Sequence, residues 1–261
     1  MEESAQVLSA LVKEVTQSRG LIDRLAVCAG VAGAGRPDEQ RALADRLRRE
    51  LVDDVEAVAV EVVHDACIAL EAAFGPESGL VIIAGTGSVV LARTRAGTTR
   101  RAGGWGHLLG DPGSGYAVGR AGLRAVAAAF DGGEDTALRA RVAEAYGIDE
   151  RAALLQKVYQ EAWALQDVAP LVVAAAADGD SVATDILTSQ VADLVRQVEW
   201  LLREVEDLAP RVALLGGMLR NAHYEATLRG ALADRVPEGS VTVLQEEPVL
   251  GALRRARRLK D

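Results

Sequence analysis

An α/β fold is what this chain of 261 residues predicts, and three features carry the expectation. Apolar runs of strand length, among them LAVCAGVAG, VEAVAVEVVHDA and VALLGGML, each give way to a stretch of helical periodicity. That alternation builds layered α/β architectures. The segment GLVIIAGTGSVVLARTRAGTTRR reads as strand, tight turn, strand and second turn, a hairpin pattern. From Ser114 to about Glu206 the spacing is mostly helical.

The elements follow in order. Ala5 to Arg19 has the apolar spacing of a helix, and Leu25 to Gly33 is a buried strand running into a glycine turn. Pro37 to Leu51 is a helix opened by a proline, whose missing N–H would be unpaired at that position anyway. Val55 to Ala66 is a strand and Cys67 to Phe74 a short helix, after which Gly75, Pro76 and Gly79 punctuate the chain. The break divides a smaller part, residues 1–76, from a larger one, residues 77–261. Beyond the hairpin and the helical block, which includes the alanine-rich Leu171 to Ala177, comes an apolar strand, Val212 to Leu219, broken at Gly216 and Gly217. A helix near Tyr224 to Ala233, a strand Val241 to Gln245 and a last helix from Pro248 complete the pattern.

A net charge of −9 argues against nucleic acid as a partner, because phosphate backbones are held by clustered Lys and Arg. The one basic run, Arg254, Arg255, Arg257, Arg258 and Lys260, reads as the solvated end of the last helix, where cations suit the macrodipole. Cys28 and Cys67 are the only cysteines and form no C-x-x-C, so neither a disulfide framework nor a zinc site is expected and a reducing cytoplasm fits. No run of about 18 apolar residues exists to span a membrane, and no secretory leader is recognised at Met1.

Chemistry concentrates in four places. Gly85-Thr86-Gly87-Ser88 sits between two apolar strands; it is either a plain turn or a nest of N–H groups that binds phosphate. Asp65 follows an apolar strand, at the carboxyl end where α/β sheets bind ligands; it is either a base for a substrate hydroxyl or the cap of the next helix. Its neighbour His64 reads as a half-buried, satisfied histidine. Gly216 and Gly217 end a strand, and serve either a strand-to-helix turn or the close approach of a nucleotide. GGWGHLLGDPGSG, residues 103–115, spends six of thirteen positions on glycine around Trp105 and Asp111. A flat apolar face and a pair of acceptors suit a sugar ring; otherwise these are a core tryptophan and an aspartate in a turn.

The order of these pieces is more telling than any one of them. A strand-end aspartate, a G-T-G-S hairpin, GGWGHLLGD with GSGY and a late LLGG resemble, over nearly the whole chain, the N-acetylglucosamine kinase-like group of the sugar kinase/actin/heat-shock ATPase superfamily, also described as the BadF/BadG/BcrA/BcrD-type ATPase domain. The resemblance implies a two-lobe actin-like (ribonuclease H-like) fold, with residues 1–76 a remnant of the N-terminal lobe and 77–261 the C-terminal lobe with a helical insertion. It implies phosphoryl transfer from ATP, with Mg²⁺, to the 6-hydroxyl of N-acetylglucosamine or glucosamine, in the cytoplasm, in a family where homodimers are common. Asp65 would be the base. Gly85, Thr86, Gly87 and Ser88 would bind phosphate, and Gly216 and Gly217 would border the adenosine. Gly104, Trp105, Asp111 and Gly115 would contact the sugar, and no side chain is assigned to the metal.

The family's opening D-G-G-G-T-K-type phosphate turn has no counterpart in Met1 to Gly20. The expectation is that about 50–60 residues, three strands with their turns, are missing. Two alternatives stay open: a truncated relative that binds sugar or nucleotide without turnover, and an ATPase activator of a 2-hydroxyacyl-CoA dehydratase. The latter group holds an iron–sulfur cluster through cysteines, and Cys28 and Cys67 match no such motif.

Overall fold

A computed structural model describes residues 2–17, 24–51, 57–237 and 239–259. In chain order the elements are α1 (Glu2–Gln17), β1 (Arg24–Val31), α2 (Pro37–Leu51), β2 (Ala57–His64), α3 (Asp65–Phe74), β3 (Gly79–Ala84), β4 (Ser88–Arg93), β5 (Thr99–Gly103) and α4 (Gly115–Phe130). They continue with α5 (Ala137–Tyr146), α6 (Arg151–Gln160), α7 (Ala169–Ala177), α8 (Ser181–Glu204), β6 (Val212–Leu215), α9 (Ala222–Leu232), β7 (Val241–Val243) and α10 (Pro248–Arg258). Two compact units result: Met1–Glu77 with Leu244–Asp261, and Ser78–Val243.

In the first unit β1 and β2 pair in parallel, from Arg24 opposite Ala57 to Val31 opposite His64. A parallel pair needs a crossover, and α2 supplies it. Its Leu43, Leu47 and Leu51, four residues apart, form the buried stripe. Asp38 and Glu39 in its first turn and Arg48 and Arg49 in its last complement the helix dipole. The strand expected to reach Ala66 stops at His64, and α3 begins at Asp65. Residues 18, 19, 55 and 56 of the expected elements lie outside the described residues.

The last helix corrects two expectations. Its arginines are not simply solvated. Arg255 forks onto Glu61 of β2 (Nε to Oε2 2.9 Å), Arg258 reaches the fully buried Glu71 of α3 at 2.8 Å, and Arg254 donates to the Ala72 carbonyl at 2.9 Å. Beside them Gly251 lets the backbones of α10 and α3 touch, since a Cβ there would stand 2.0 Å from the Ile68 carbonyl oxygen. Sequence order put residues 77–261 together; these contacts instead join the last helix to the first unit. Next to the Glu61–Arg255 pair, burial and then the Glu61 charge push the Cys28 thiol up to about 12.

The second unit is built on a five-stranded sheet in the order β5-β4-β3-β6-β7. β3 pairs antiparallel with β4 and parallel with β6, while β4–β5 is antiparallel and β6–β7 parallel. β3 (GLVIIA) and β4 (SVVLAR) are buried along nearly their whole length, which is why they read as unbroken apolar runs rather than alternating ones. β5, TRRAG, exposes its first three residues; polar and short, it gives no strand signal and was expected only as a turn. Helix α8 lays Leu187, Val191, Leu194 and Val198 into the core beside Val118 and Val126 of α4 and Leu228 of α9. Among the described residues no helix is long and apolar enough to cross a membrane.

Asp180 fixes two helix starts at once. Its carboxylate accepts from the Ala183 N–H of α8 and the Ala137 N–H of α5, each at 2.7 Å, and from the Thr136 hydroxyl. Burial pushes this carboxyl up, but the two amides and the hydroxyl outweigh it and hold it below the usual carboxylate range. Loss of a cap costs about 0.5–2 kcal/mol, so Asp180→Ala should lose roughly 1–4 kcal/mol by urea denaturation at neutral pH. Because the folded value is depressed, this contribution is present above the unfolded aspartate value of about 3.9. It fades as pH falls through the folded value, so the variant and parent midpoints should converge in acid. A constant difference down to the lowest pH would sink the assignment.

Candidate active site

The Gly85–Ser88 turn joins β3 to β4 and is held from below. The Gly85 N–H closes onto the Gly87 carbonyl at 2.9 Å. The Gly85 carbonyl accepts from the Gly115 N–H (2.8 Å) and the Thr86 carbonyl from the Tyr116 N–H (3.2 Å). These are the first amides of α4, groups with no partner inside a helix. Ser114 caps the same helix through the Ala117 N–H. The start of α4 is therefore committed to the turn, with its positive dipole end behind it. Ser88, expected among the phosphate donors, instead turns its hydroxyl to the Pro112 carbonyl at 2.7 Å and is buried. The Thr86 and Gly87 amides and the Thr86 hydroxyl make no hydrogen bond among the described residues, and Thr86 is exposed.

The glycine-rich stretch folds over this turn. Gly103, Gly104, Gly106 and Gly113 all have φ between +66° and +82°, which accounts for their number. Their path carries Asp111, itself at φ +62°, into a buried position. Its Oδ1 accepts from the Gly106 N–H at 3.2 Å. The other oxygen, Oδ2, lies so close to Gly87 that a Cβ there would approach it to 2.7 Å. Burial raises this carboxyl above the usual range, against the Gly106 and Ser88 amides and the His107 charge. Trp105 is 69% exposed, which disposes of the core reading, and Leu108 and Leu109 are exposed beside it. Gly104 donates to the Ser88 carbonyl at 3.1 Å, bracing the loop's entry.

Gly216 and Gly217 follow β6. Gly216, at φ +119° and ψ +167°, passes so close to β3 that a Cβ would lie 2.3 Å from the Ala84 carbonyl oxygen. Gly217 opens a short 3-10 turn, Gly217–Arg220, with open space where a side chain would go. A Cβ on Gly115 would lie 3.3 Å from the Gly85 oxygen and 3.5 Å from the Met218 sulfur. Three distant stretches of sequence, 84–88, 111–116 and 216–218, thus meet at their glycines. Two supports escaped sequence reasoning. The buried Tyr224 hydroxyl of α9 donates to the Gly113 carbonyl at 2.6 Å, and Gln190 of α8 accepts from the Gly113 N–H at 3.3 Å. Neither has a local sequence signal, because each meets its partner only through the fold.

Asp65 belongs to the first unit, at the first position of α3 directly after β2. Its Oδ1 accepts from the Ala66 N–H at 2.8 Å and lies 2.8 Å from Nδ1 of His64, a side chain that is mostly buried. At that separation Nδ1 carries the proton and donates, so the Ala66 amide belongs to the carboxylate rather than to the ring. The His64 hydrogen bond, against burial, holds the Asp65 carboxyl below the usual range. The N-cap position of α3 is His64 and Asp65 is the first residue inside the helix, so the capping alternative does not hold for Asp65; its two contacts fall on one oxygen.

The profile of the BadF/BadG/BcrA/BcrD ATPase family matches residues 1–255. The chain belongs to that family. Two curated relatives are an N-acetylmuramic acid/N-acetylglucosamine kinase from Clostridium acetobutylicum, 29% identical over 97% of this chain and 84% of the relative, and an N-acetyl-D-glucosamine kinase from Dictyostelium discoideum, 28% identical over 87% and 73%. A solved candidate N-acetylglucosamine kinase from Chromobacterium violaceum superposes with a TM-score of 0.71 at 25% identity, covering 98% of this chain and 85% of that one. A ROK family glucokinase from Streptomyces griseus, solved with glucose and AMPPNP, shares the fold at 18% identity (TM-score 0.54, 99% and 88% covered). The fold of this BadF/BadG/BcrA/BcrD family member is that of the actin-like sugar kinases.

Proposed function

We propose that this family member transfers the γ-phosphoryl group of ATP to the 6-hydroxyl of an amino sugar, N-acetylglucosamine or glucosamine, as a cytoplasmic enzyme. The observation that carries the reading is a buried carboxylate, Asp111, set against a glycine turn whose Thr86 and Gly87 amides face no protein acceptor. Backbone amides left free at a turn can receive the oxygens of a polyphosphate, and a carboxylate beside them can accept a sugar's hydroxyls. The two curated kinases support the amino sugar.

In this reading Thr86 and Gly87 donate to the phosphates, Gly216 and Gly217 border the adenosine, Trp105 and Asp111 orient the sugar with Gly104 and Gly115 giving close backbone approach, and Asp65 accepts the 6-hydroxyl proton. Phosphoryl transfer asks mostly for positioning and charge stabilisation, which suits fixed backbone donors. Among the described residues no group of three or more His, Cys, Asp or Glu side chains forms a metal cage. Mg²⁺ arriving on ATP is held largely by phosphate oxygens and water, and no side chain of this chain is assigned to it. When bound, the ion neutralises phosphate charge.

The test is ADP release by the purified chain with Mg-ATP and N-acetylglucosamine, glucosamine, glucose or no sugar. Amino-sugar-dependent release is the expected result. A folded chain that binds sugar or nucleotide but releases no ADP would replace the kinase by a binding protein. Trp105→Ala should raise the sugar KM by roughly tenfold, the loss of about 1.4 kcal/mol of ring contact. An unchanged KM would remove Trp105 from the sugar site.

A further inference from the structure

Helix α8 carries two glutamines on one face, and they lie against the two ends of the glycine-rich loop. Gln190, Leu194 and Gln197 stand at positions i, i+4 and i+7 of this helix, a spacing that places all three in one stripe. Gln190 and Leu194 hold the end of the loop. Gln190 Oε1 accepts from the Gly113 N–H at 3.3 Å, and a Cβ on Gly113 would stand 2.9 Å from Leu194 Cδ2. Gln197, about 10 Å further along the helix axis, meets the start of the loop. Its amide group lies against Gly103, where a Cβ would collide with Oε1. The two glutamines differ in one respect: Gln190 has its donor and Gln197 does not. Gln197 is 6% exposed, and its Oε1 makes no hydrogen bond among the described residues. A buried acceptor left without a donor weakens a fold, because it has given up water for nothing. The loop holds a donor in the same condition. The Gly104 N–H is taken by the Ser88 carbonyl and the Gly106 N–H by Asp111, whereas the Trp105 N–H between them makes no hydrogen bond among the described residues.

We propose that Gln197 is a positioning residue for the acceptor sugar: its unpaired oxygen takes the Trp105 N–H when the loop closes over the sugar, and so sets the tryptophan face against the ring. The proposal rests on the amino sugar kinase reading, in which Trp105 contacts the sugar, and deepens it. Gly103 and Gly104 precede Trp105 and carry no side chain to obstruct the rotation that brings its amide inward. With Gln190 already fastened to Gly113, the closed loop is then held at both ends by one helix. The energetics run opposite to those of an ordinary structural hydrogen bond. In the sugar-free protein the Gln197 oxygen costs stability, and in the sugar complex the new bond adds to affinity. Sugar binding and the stability of this unit are thereby linked through a single atom.

The experiment compares the parent chain with Gln197→Met and Gln190→Met, which keep side-chain length and remove the polar groups. Three quantities are read: the thermal midpoint without sugar, the KM for N-acetylglucosamine and glucosamine, and amide hydrogen exchange at Trp105. Gln197→Met should keep or raise the sugar-free midpoint, since it removes an unpaired acceptor. It should nonetheless raise the sugar KM by about tenfold, the loss of one hydrogen bond, and leave the ATP KM within about twofold. Gln190→Met breaks a bond already formed and should lower the sugar-free midpoint. Saturating sugar should slow exchange of the Trp105 amide in the parent and leave it unchanged in Gln197→Met. A Gln197→Met chain that melts earlier than the parent, or does not fold, would show that the oxygen already has a partner and would overturn the proposal. An unchanged sugar KM in that variant would do the same, as would a Trp105 amide that exchanges equally fast with and without sugar in a parent that turns sugar over. If the parent binds sugar without turnover, the calorimetric Kd replaces KM and the same comparisons decide. A folded parent that neither binds nor phosphorylates either sugar would refute the kinase reading, and this proposal with it.

Discussion

Asp65→Asn should lower kcat for sugar phosphorylation by about 10²–10⁴-fold, the range over which a positioned general base contributes. The substitution isolates that role. An asparagine oxygen can still accept from the Ala66 N–H and from His64 Nδ1, the two contacts that fall on Oδ1. What it cannot do is take up a proton. The thermal midpoint should therefore stay near that of the parent while turnover falls and the sugar KM changes little. The depressed folded value of Asp65 means that the carboxylate is already ionised throughout the neutral range, ready to accept. A folded Asp65→Asn chain with parental kcat would remove Asp65 from the base role.

Gly216→Ala should damage the second unit severely. A φ of +119° with ψ +167° belongs to a region occupied essentially by glycine, and the methyl would press on the Ala84 carbonyl of β3 at 2.3 Å, backbone that has no rotamer to yield. Strain and overpacking each cost about 1–3 kcal/mol, so a loss of roughly 2–6 kcal/mol is expected in urea denaturation. Gly217→Ala is the matched control. Its φ is not positive and nothing stands within 4 Å of its ideal Cβ, so the fold should survive; a raised ATP KM in that variant would report the adenosine directly. A Gly216→Ala chain as stable as the parent would refute the close approach, and a Gly217→Ala chain with an unchanged ATP KM would remove that residue from the nucleotide site.

Much of the architecture was legible because the physics behind it is local. Pro37–Leu51 came out at its expected bounds since proline, first-turn acids and last-turn arginines all act within one helix. β3 and β4 announced themselves by burial on both faces. What escaped depends on partners far along the chain. The arginines of α10 look solvated until Glu61 and Glu71, nearly two hundred residues away, come into reach. The same holds for the site. Gly85, Thr86, Gly87, Asp111, Gly115 and Gly216 could be nominated one by one, but that Asp111 touches Gly87, or that Ser88 braces Pro112 instead of offering a donor outward, follows from how the loop returns across the turn. Trp105 was equally suited to a core or a ligand face by composition, and only its exposure separates the two.

The strand that gave no signal in the sequence has a consequence for solubility. β5 is the outermost strand of its sheet, and an outer strand carries a row of backbone donors and acceptors that another chain could pair with. Arg100 and Arg101 lie along it. Like charges on two such edges repel before their backbones can register, and long solvated side chains must be stripped of water to let a second sheet dock. The residues that conceal the strand from a hydropathy reading are the same ones that protect this chain from joining its own copies edge to edge.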